Sequence, residues 1–259
     1  MKLNIVPASQ GAQWVKLGIQ TFFKQPLALS GLFFIFLAVM SLLNVLPIIG
    51  SLLAFVLMPG VTLGMLAASR EASNGKFPMP TILVTAFRAG PEQRRNMVVL
   101  GALYTVCIVL IVCATPLFDG GSFAQLMLLG QPVSAEVRQQ MDFQLAMLFA
   151  SGMNMPLTLL FCHASALIHW HGVPPLKSLF FSLAAIAANF RAYVVYGLVW
   201  MGVFLGFATI MAILVAALGG VEVIAAIAYP AAMLIATMVF TSIYFTFQGS
   251  FDRTPEADI

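Results

Sequence analysis

The charged residues of this 259-residue chain are placed so that five long stretches contain no Lys, Arg, Asp or Glu. They run 25–69, 96–118, 143–176, 192–221 and 223–251, the first ending just before Arg70. A helix needs about 20 mostly apolar residues to cross a hydrocarbon core about 30 Å thick, because it rises about 1.5 Å per residue. Every stretch meets that length. The first can cross twice, with Pro47 and Gly50-Ser51 supplying the turn. The pattern predicts six spans, at 27–46, 48–69, 97–117, 143–168, 192–218 and 224–247.

Composition supports a membrane chain. The sequence is 61% hydrophobic and 8% charged, whereas soluble domains run about 45–50% and about 25%. Mean hydropathy is +1.00. These values exclude an ordinary soluble domain, a disordered chain and a disulfide-stapled secreted module. The net charge of +3 rests on few charges and is no argument for nucleic acid.

Orientation follows from Lys and Arg. With six spans and an inside N-terminus, the inner segments hold Lys2, Lys16, Lys24, Arg70, Lys76, Arg88, Arg94, Arg95, Lys177, Arg191 and Arg253. The outer segments hold only Arg138. This asymmetry predicts both termini in the cytoplasm. The first apolar run begins near Leu27, after a lead too long for the n-region of a signal peptide, and it has the length of a span. An uncleaved anchor is expected. Cys107, Cys113 and Cys162 all fall inside spans without a CxxC pair, so buried thiols rather than disulfides are expected.

An internal plan recurs three times. Each copy has a proline, an amphipathic stretch ending in Lys or Arg, a span, and a second span containing a proline. Lys24 follows Pro7 by 17 residues, Arg95 follows Pro80 by 15 and Arg191 follows Pro175 by 16. The prolines of the second spans are Pro59, Pro156 and Pro230. In the first stretch Trp14, Val15, Gly18, Ile19, Phe22 and Phe23 share one arc, opposite Gln13, Lys16, Gln20 and Lys24. The third repeats it with Leu176, Leu179, Phe180, Leu183 and Phe190, and the second is interrupted at Gly90-Pro91. Aromatics on one arc and Lys on the other suit helices lying in the cytoplasmic interface.

The expected fold is therefore an all-α polytopic bundle of six transmembrane helices. It is read as three repeats of an interfacial amphipathic helix plus a helical hairpin, over 7–70, 78–171 and 174–247. A periplasmic insertion over 118–142 and a short cytoplasmic tail over 248–259 complete a single membrane domain. Within the insertion, Ser134 is placed to cap a helix leading into span four.

The opening MKLNIVPASQGAQWVKLGIQTFFKQPLALSGLFF and the string EASNGKFPMPTILVTAFR resemble a family of uncharacterised six-span inner-membrane proteins of Gram-negative bacteria. The resemblance covers essentially the whole chain. It implies a bacterial inner-membrane location and no assigned activity or site residue.

Few residues can carry chemistry. Ionisable groups in a span cost about 2.5–3.5 kcal/mol on insertion scales and are usually functional. His163 is the one strongly titratable group well inside a span. Span four is the most polar, with Ser151, Asn154, Pro156, Thr158, Cys162, His163 and Ser165. Pro156 withdraws a helix hydrogen bond, so a kinked element is expected near Asn154. Asn154, Pro156, His163 and Thr62, with Tyr229, are the candidate lining of a membrane cavity. The competing reading is interhelical hydrogen bonding and packing.

His163, His169 and His171 do not form a ligand set, since 163 and 169 sit on different helix faces and no carboxylate is near in sequence. No metal or cofactor is expected. HExxH, GxSxG and GxxxxGK[ST] are absent. Gly60/Gly64 and Gly202/Gly206 form two GxxxG pairs, read as packing within the bundle, with dimer contacts as the alternative. Arg88, Arg94, Arg95, Lys16, Lys24 and Arg191 are candidate contacts for anionic lipid headgroups.

The favoured expectation is a non-enzymatic protein that organises the membrane or supports a complex. Lipids are its expected surroundings, with a membrane protein or a second copy as partner and no nucleic acid. The alternative is a carrier or permease for an apolar or amphipathic small molecule, since repeats and proline-broken spans are transporter features.

Overall fold

The computed structural model describes residues 2–218 and 221–251. Residues 219–220 and the end of the tail, with Arg253, lie outside the described residues. Within them the chain forms α1 (Gln10–Lys24), α2 (Pro26–Leu43), α3 (Ile49–Ser73), a 3₁₀ turn (Pro80–Val84), α4 (Thr85–Arg88) and α5 (Pro91–Ala114). It continues with α6 (Pro116–Asp119), α7 (Ser122–Leu129), α8 (Ala135–Gln139), α9 (Met141–Phe161) and α10 (Ala164–His171). The last three are α11 (Pro175–Ala188), α12 (Phe190–Leu218) and α13 (Val221–Ser250). Six segments are long and apolar enough to cross a membrane: Pro26–Leu43, Ile49–Ser73, Pro91–Asp119, Met141–His171, Phe190–Ala217 and Ala226–Ser250.

Local chemistry sets the boundaries. Pro26, Pro91, Pro116 and Pro175 each open a helix, where the missing N–H is one the first turn leaves unpaired anyway. Gly130 and Gly172 close α7 and α10 with φ of 65° and 63°, the left-handed conformation in which a side chain is disfavoured. The second amphipathic stretch is broken as its Gly90-Pro91 step predicts, into a 3₁₀ turn, the four residues of α4 and the start of α5. Ser134 caps a helix through its side chain and the Val137 N–H, but that helix ends at Gln139 and span four begins anew at Met141.

The chain divides into two compact units. Unit 1 comprises Met1–Phe33, Met65–Ile82 and Ala184–Ile259. Here α1 packs on α12 and α13. Its buried arc is Gly11, Trp14, Val15, Gly18, Thr21 and Phe22. The expectation of an aromatic face offered to lipid is corrected in part: protein covers Trp14, Val15, Gly18 and Phe22, Ile19 is half-buried, and Phe23 is exposed together with Lys16, Gln20 and Lys24. Glycine makes the approach possible. A Cβ on Gly11 would strike the Ala192 carbonyl, and one on Gly18 would strike Ser242. The Trp14 ring meets Tyr193 at 5.1 Å and Tyr196 at 6.3 Å between centroids. Removing side chains such as Val15 and Phe22 from water stabilises by about 1.5–3 kcal/mol each.

Unit 2 comprises Phe34–Gly64 and Leu83–Leu183. Here α5 packs on α9 and α10, and α6 and α7 pack on α9. Tyr104 of α5 meets Phe161 of α9 with centroids 5.1 Å apart, and Phe123 of α7 meets Phe143 at 5.9 Å. The α2–α3 turn is fastened to the end of α7, where the Ile48 N–H and the Ser51 hydroxyl both reach the Leu128 carbonyl, at 3.1 and 3.4 Å. Of the two GxxxG pairs, Gly60 sits against the ring of Phe87 and so packs as read. Gly202 and Gly206 are exposed, with open space where a Cβ would stand. The reading of that second pair as packing within the bundle is therefore corrected.

Candidate functional site

Span four is broken, although not where its proline stands. Helix α9 runs through Pro156 and ends at Phe161, and α10 restarts at Ala164. The break at Cys162-His163 is held from α11. The Ser182 hydroxyl accepts the His163 backbone N–H at 3.2 Å and donates to the Leu159 carbonyl at 3.0 Å. Residues 163 and 159 are the donor and acceptor of one ordinary i→i−4 helix bond. The hydroxyl is thus inserted into the ladder, which is one of the recognised causes of a kink. Both freed backbone groups remain partnered, as a membrane interior requires.

The surroundings of the break are polar and closed. His163, Ser165, Ser178 and Ser182 are buried, as are Ala164, Ala166, Leu167 and Ile168 of α10. Ser178 donates to the Pro175 carbonyl at 2.7 Å. The Ser165 hydroxyl has no hydrogen-bond partner among the described residues. Helix α11 turns its serines, with Ala185, inward and leaves Leu176, Phe180 and Leu183 exposed. That inverts the arrangement of α1 and suits a helix whose large apolar residues meet lipid. Sequence reading missed Ser182. Its signal was the 4–3 spacing of Ser178, Ser182 and Ala185 opposite the apolar arc.

A second polar cluster lies in unit 1. The Asn189 carboxamide accepts the Val6 N–H at 2.8 Å and donates to the carbonyls of Asn4 at 2.8 Å and Ala185 at 3.1 Å. It binds the extended N-terminal segment much as a neighbouring strand would. That segment also pairs with the end of α13, through an antiparallel bridge between Leu3 and Phe251 and an Asn4 N–H to Ser250 carbonyl bond of 2.9 Å. Tyr193 and Ser250 share a hydroxyl contact of 3.0 Å. Ser242 meets the Tyr196 hydroxyl at 2.6 Å and accepts the Trp200 indole N–H at 3.2 Å.

Of the candidate cavity residues, Asn154 and Pro156 do not face one lining. Asn154 and Pro156 are both exposed, but two residues on an α-helix stand about 200° apart. Thr62 is half-buried and donates to the Met58 carbonyl of its own helix at 2.9 Å, while His163 is buried at the break. Tyr229 belongs to unit 1 and is exposed. Among the described residues no three His, Cys, Asp or Glu side chains are grouped to hold a metal ion. The three cysteines are free thiols. Cys113 is exposed and the others half-buried, which corrects the expectation of full burial.

The basic candidates fall in two groups. Arg88, Arg94 and Arg95 are exposed in unit 2, and Lys16 and Arg191 are exposed in unit 1. Lys24, also in unit 1, is directed to protein, donating to the Ser73 carbonyl at the end of α3 at 3.2 Å. A cation there offsets the partial negative charge of the helix C-terminus.

In comparison with known proteins, the chain is 36% identical over 254 residues to a probable inner membrane protein of Burkholderia thailandensis. The match covers 97% of this chain and 94% of that protein. No family model matches, and neither does any solved structure.

Proposed function

The chain belongs to the inner-membrane protein family represented by that Burkholderia relative, and from this premise we propose that it is a non-enzymatic protein that organises the membrane or supports a complex within it. The observation that carries this reading is where the polar side chains are engaged. Hydroxyls along the spans bond within their own helices, as Thr62, Thr105, Thr158, Thr209, Thr237 and Thr241 do to the carbonyl four residues back. In unit 1 long-range polar bonds tie the N-terminal segment to Asn189 and the end of α13, with others joining Ser242 to Tyr196 and Trp200 and Lys24 to Ser73. Such a chain is built to hold a fixed arrangement at one face. The Lys and Arg distribution supports placing that face, with both termini, in the cytoplasm. The threefold plan of amphipathic helix and hairpin belongs to the same reading, as do headgroup contacts of the exposed basic residues.

The carrier reading has one specific support, the break in span four, because transporters place interrupted helices at their binding sites. Native mass spectrometry of the protein purified in mild detergent separates the two. A retained second protein supports the complex-supporting role. A stoichiometric small molecule, together with its uptake into proteoliposomes, overturns it in favour of the carrier.

A further inference from the structure

Helix α9 carries two parallel seams displaced by one residue. The first, Phe143, Ala146, Ala150, Leu157 and Phe161, is buried inside unit 2. The second, Gln144, Met147, Ser151, Asn154 and Thr158, is exposed along its whole length. Its steps of 3, 4, 3 and 4 residues are those of a helix pairing with another at a shallow left-handed crossing. Four of its five residues are polar. Large apolar residues are exposed on other helices, Leu198, Met201, Leu205, Ile210 and Ile213 on α12 and Leu176, Phe180 and Leu183 on α11, where Ser41 of α2 and Thr209 of α12 are exposed singly. The α9 seam differs in gathering four exposed polar side chains along one face of a span.

Asn154 makes this seam costly. It stands 13 residues into a candidate span of 31 residues, about 20 Å from its outer end at about 1.5 Å per residue. Thr158 donates to the Asn154 backbone carbonyl at 2.9 Å. The Asn154 carboxamide itself has no hydrogen-bond partner among the described residues. Hydrocarbon supplies neither donor nor acceptor. A carboxamide is both at once, so it is satisfied by another carboxamide. A second copy of the chain, related by a two-fold axis along the membrane normal, presents Asn154 at the same depth with no further adjustment.

We propose that the seam of Gln144, Met147, Ser151, Asn154 and Thr158 is the contact of a parallel two-fold dimer of this chain, with the two Asn154 carboxamides hydrogen-bonded across the axis. The dimer goes beyond the role proposed above. It stands or falls independently of whether a different protein is retained in detergent.

The full chain with Cys107, Cys113 and Cys162 replaced by Ala is reconstituted in liposomes and given single cysteines. Ser151→Cys and Met147→Cys should oxidise to disulfide dimers. Leu148→Cys, about 100° further round α9, and Leu205→Cys on α12 should do so at least tenfold less. Energy transfer between labelled copies, followed as lipid is added, reads the association itself. Asn154→Leu should weaken it at least tenfold, whereas Asn154→Gln, which keeps the carboxamide, should stay within about threefold. Thermal unfolding of each variant reports whether it is folded. Equal cross-linking from all four positions, cross-linking from α12 alone, or a monomer at every protein-to-lipid ratio would each overturn the dimer. So would labelling of Ser151→Cys by a membrane-impermeant maleimide, which would place the seam on a water-filled cavity.

Discussion

Replacing Ser182 by Ala removes one oxygen and touches two backbone groups at once. The hydroxyl stands between the His163 N–H, at 3.2 Å, and the Leu159 carbonyl, at 3.0 Å. Without it, the chain has two responses. If the break keeps its shape, the buried N–H loses its partner, at a cost of about 1–3 kcal/mol. If α9 straightens instead and closes the direct bond, the loss approaches that of a typical hydrogen bond in a membrane protein, about 0.6 kcal/mol. The packing of α10 decides between them. Ala164, Ala166, Leu167 and Ile168 are fully buried, so straightening would drag a closely packed turn out of register. The retained break is therefore expected, with a loss of about 2 kcal/mol, equivalent to about 4–8 °C in Tm for a domain of this order of size. Thermal unfolding in detergent measures it, and hydrogen exchange at the His163 amide should quicken in parallel. Ser182→Thr, which keeps the hydroxyl, should restore most of both. A Tm within about 1 °C of wild type, together with unchanged exchange at His163, would refute the insertion as the support of the break.

Three further outcomes are expected. Gly18→Ala should destabilise unit 1 by about 1–3 kcal/mol, because the new methyl meets Ser242 and the helices must separate; Gln20→Ala on the exposed arc is the control, and both are read by thermal unfolding. Asn189→Ala should release residues 3–6 from one of their two anchors, seen as faster proteolysis or exchange of the N-terminal segment while spectroscopic helix content is unchanged. Reporters fused near residue 2 and after residue 251 should be active only as cytoplasmic markers, and one inserted at Gln131 only as a periplasmic marker; the reverse result would invalidate the orientation taken from Lys and Arg.

Much of the fold was legible because the bilayer imposes a simple rule. Uncharged runs of sufficient length must be helices, so six spans follow from where charges are missing, and the helix starts follow from Pro26, Pro91, Pro116 and Pro175. Amphipathicity was also legible, but its meaning was not. Helices α1 and α11 show the same periodic mixture of aromatic and polar residues. One buries Trp14, Val15 and Phe22 against protein. The other exposes Leu176, Phe180 and Leu183 and buries its serines. Periodicity reports that a helix has two faces; lipid and protein interior are both apolar, so it does not report which of them meets the apolar one.

The same limit explains the candidate site. Pro156 marked span four as special, because proline removes a ladder bond by its own chemistry. The break came at Cys162-His163 instead, because it depends on a hydroxyl 19 residues further along the chain. No local pattern around residue 163 announces that partner. By itself the sequence determined the solvent and the number of apolar spans, since each is a sum over local transfer free energies. Only the tertiary structure decided that Ser182 replaces a helix bond, that Asn189 binds the N-terminal segment, and that one polar seam of α9 is left exposed. Those are pairings between distant residues, and a pairing is fixed by packing geometry rather than by composition along the chain.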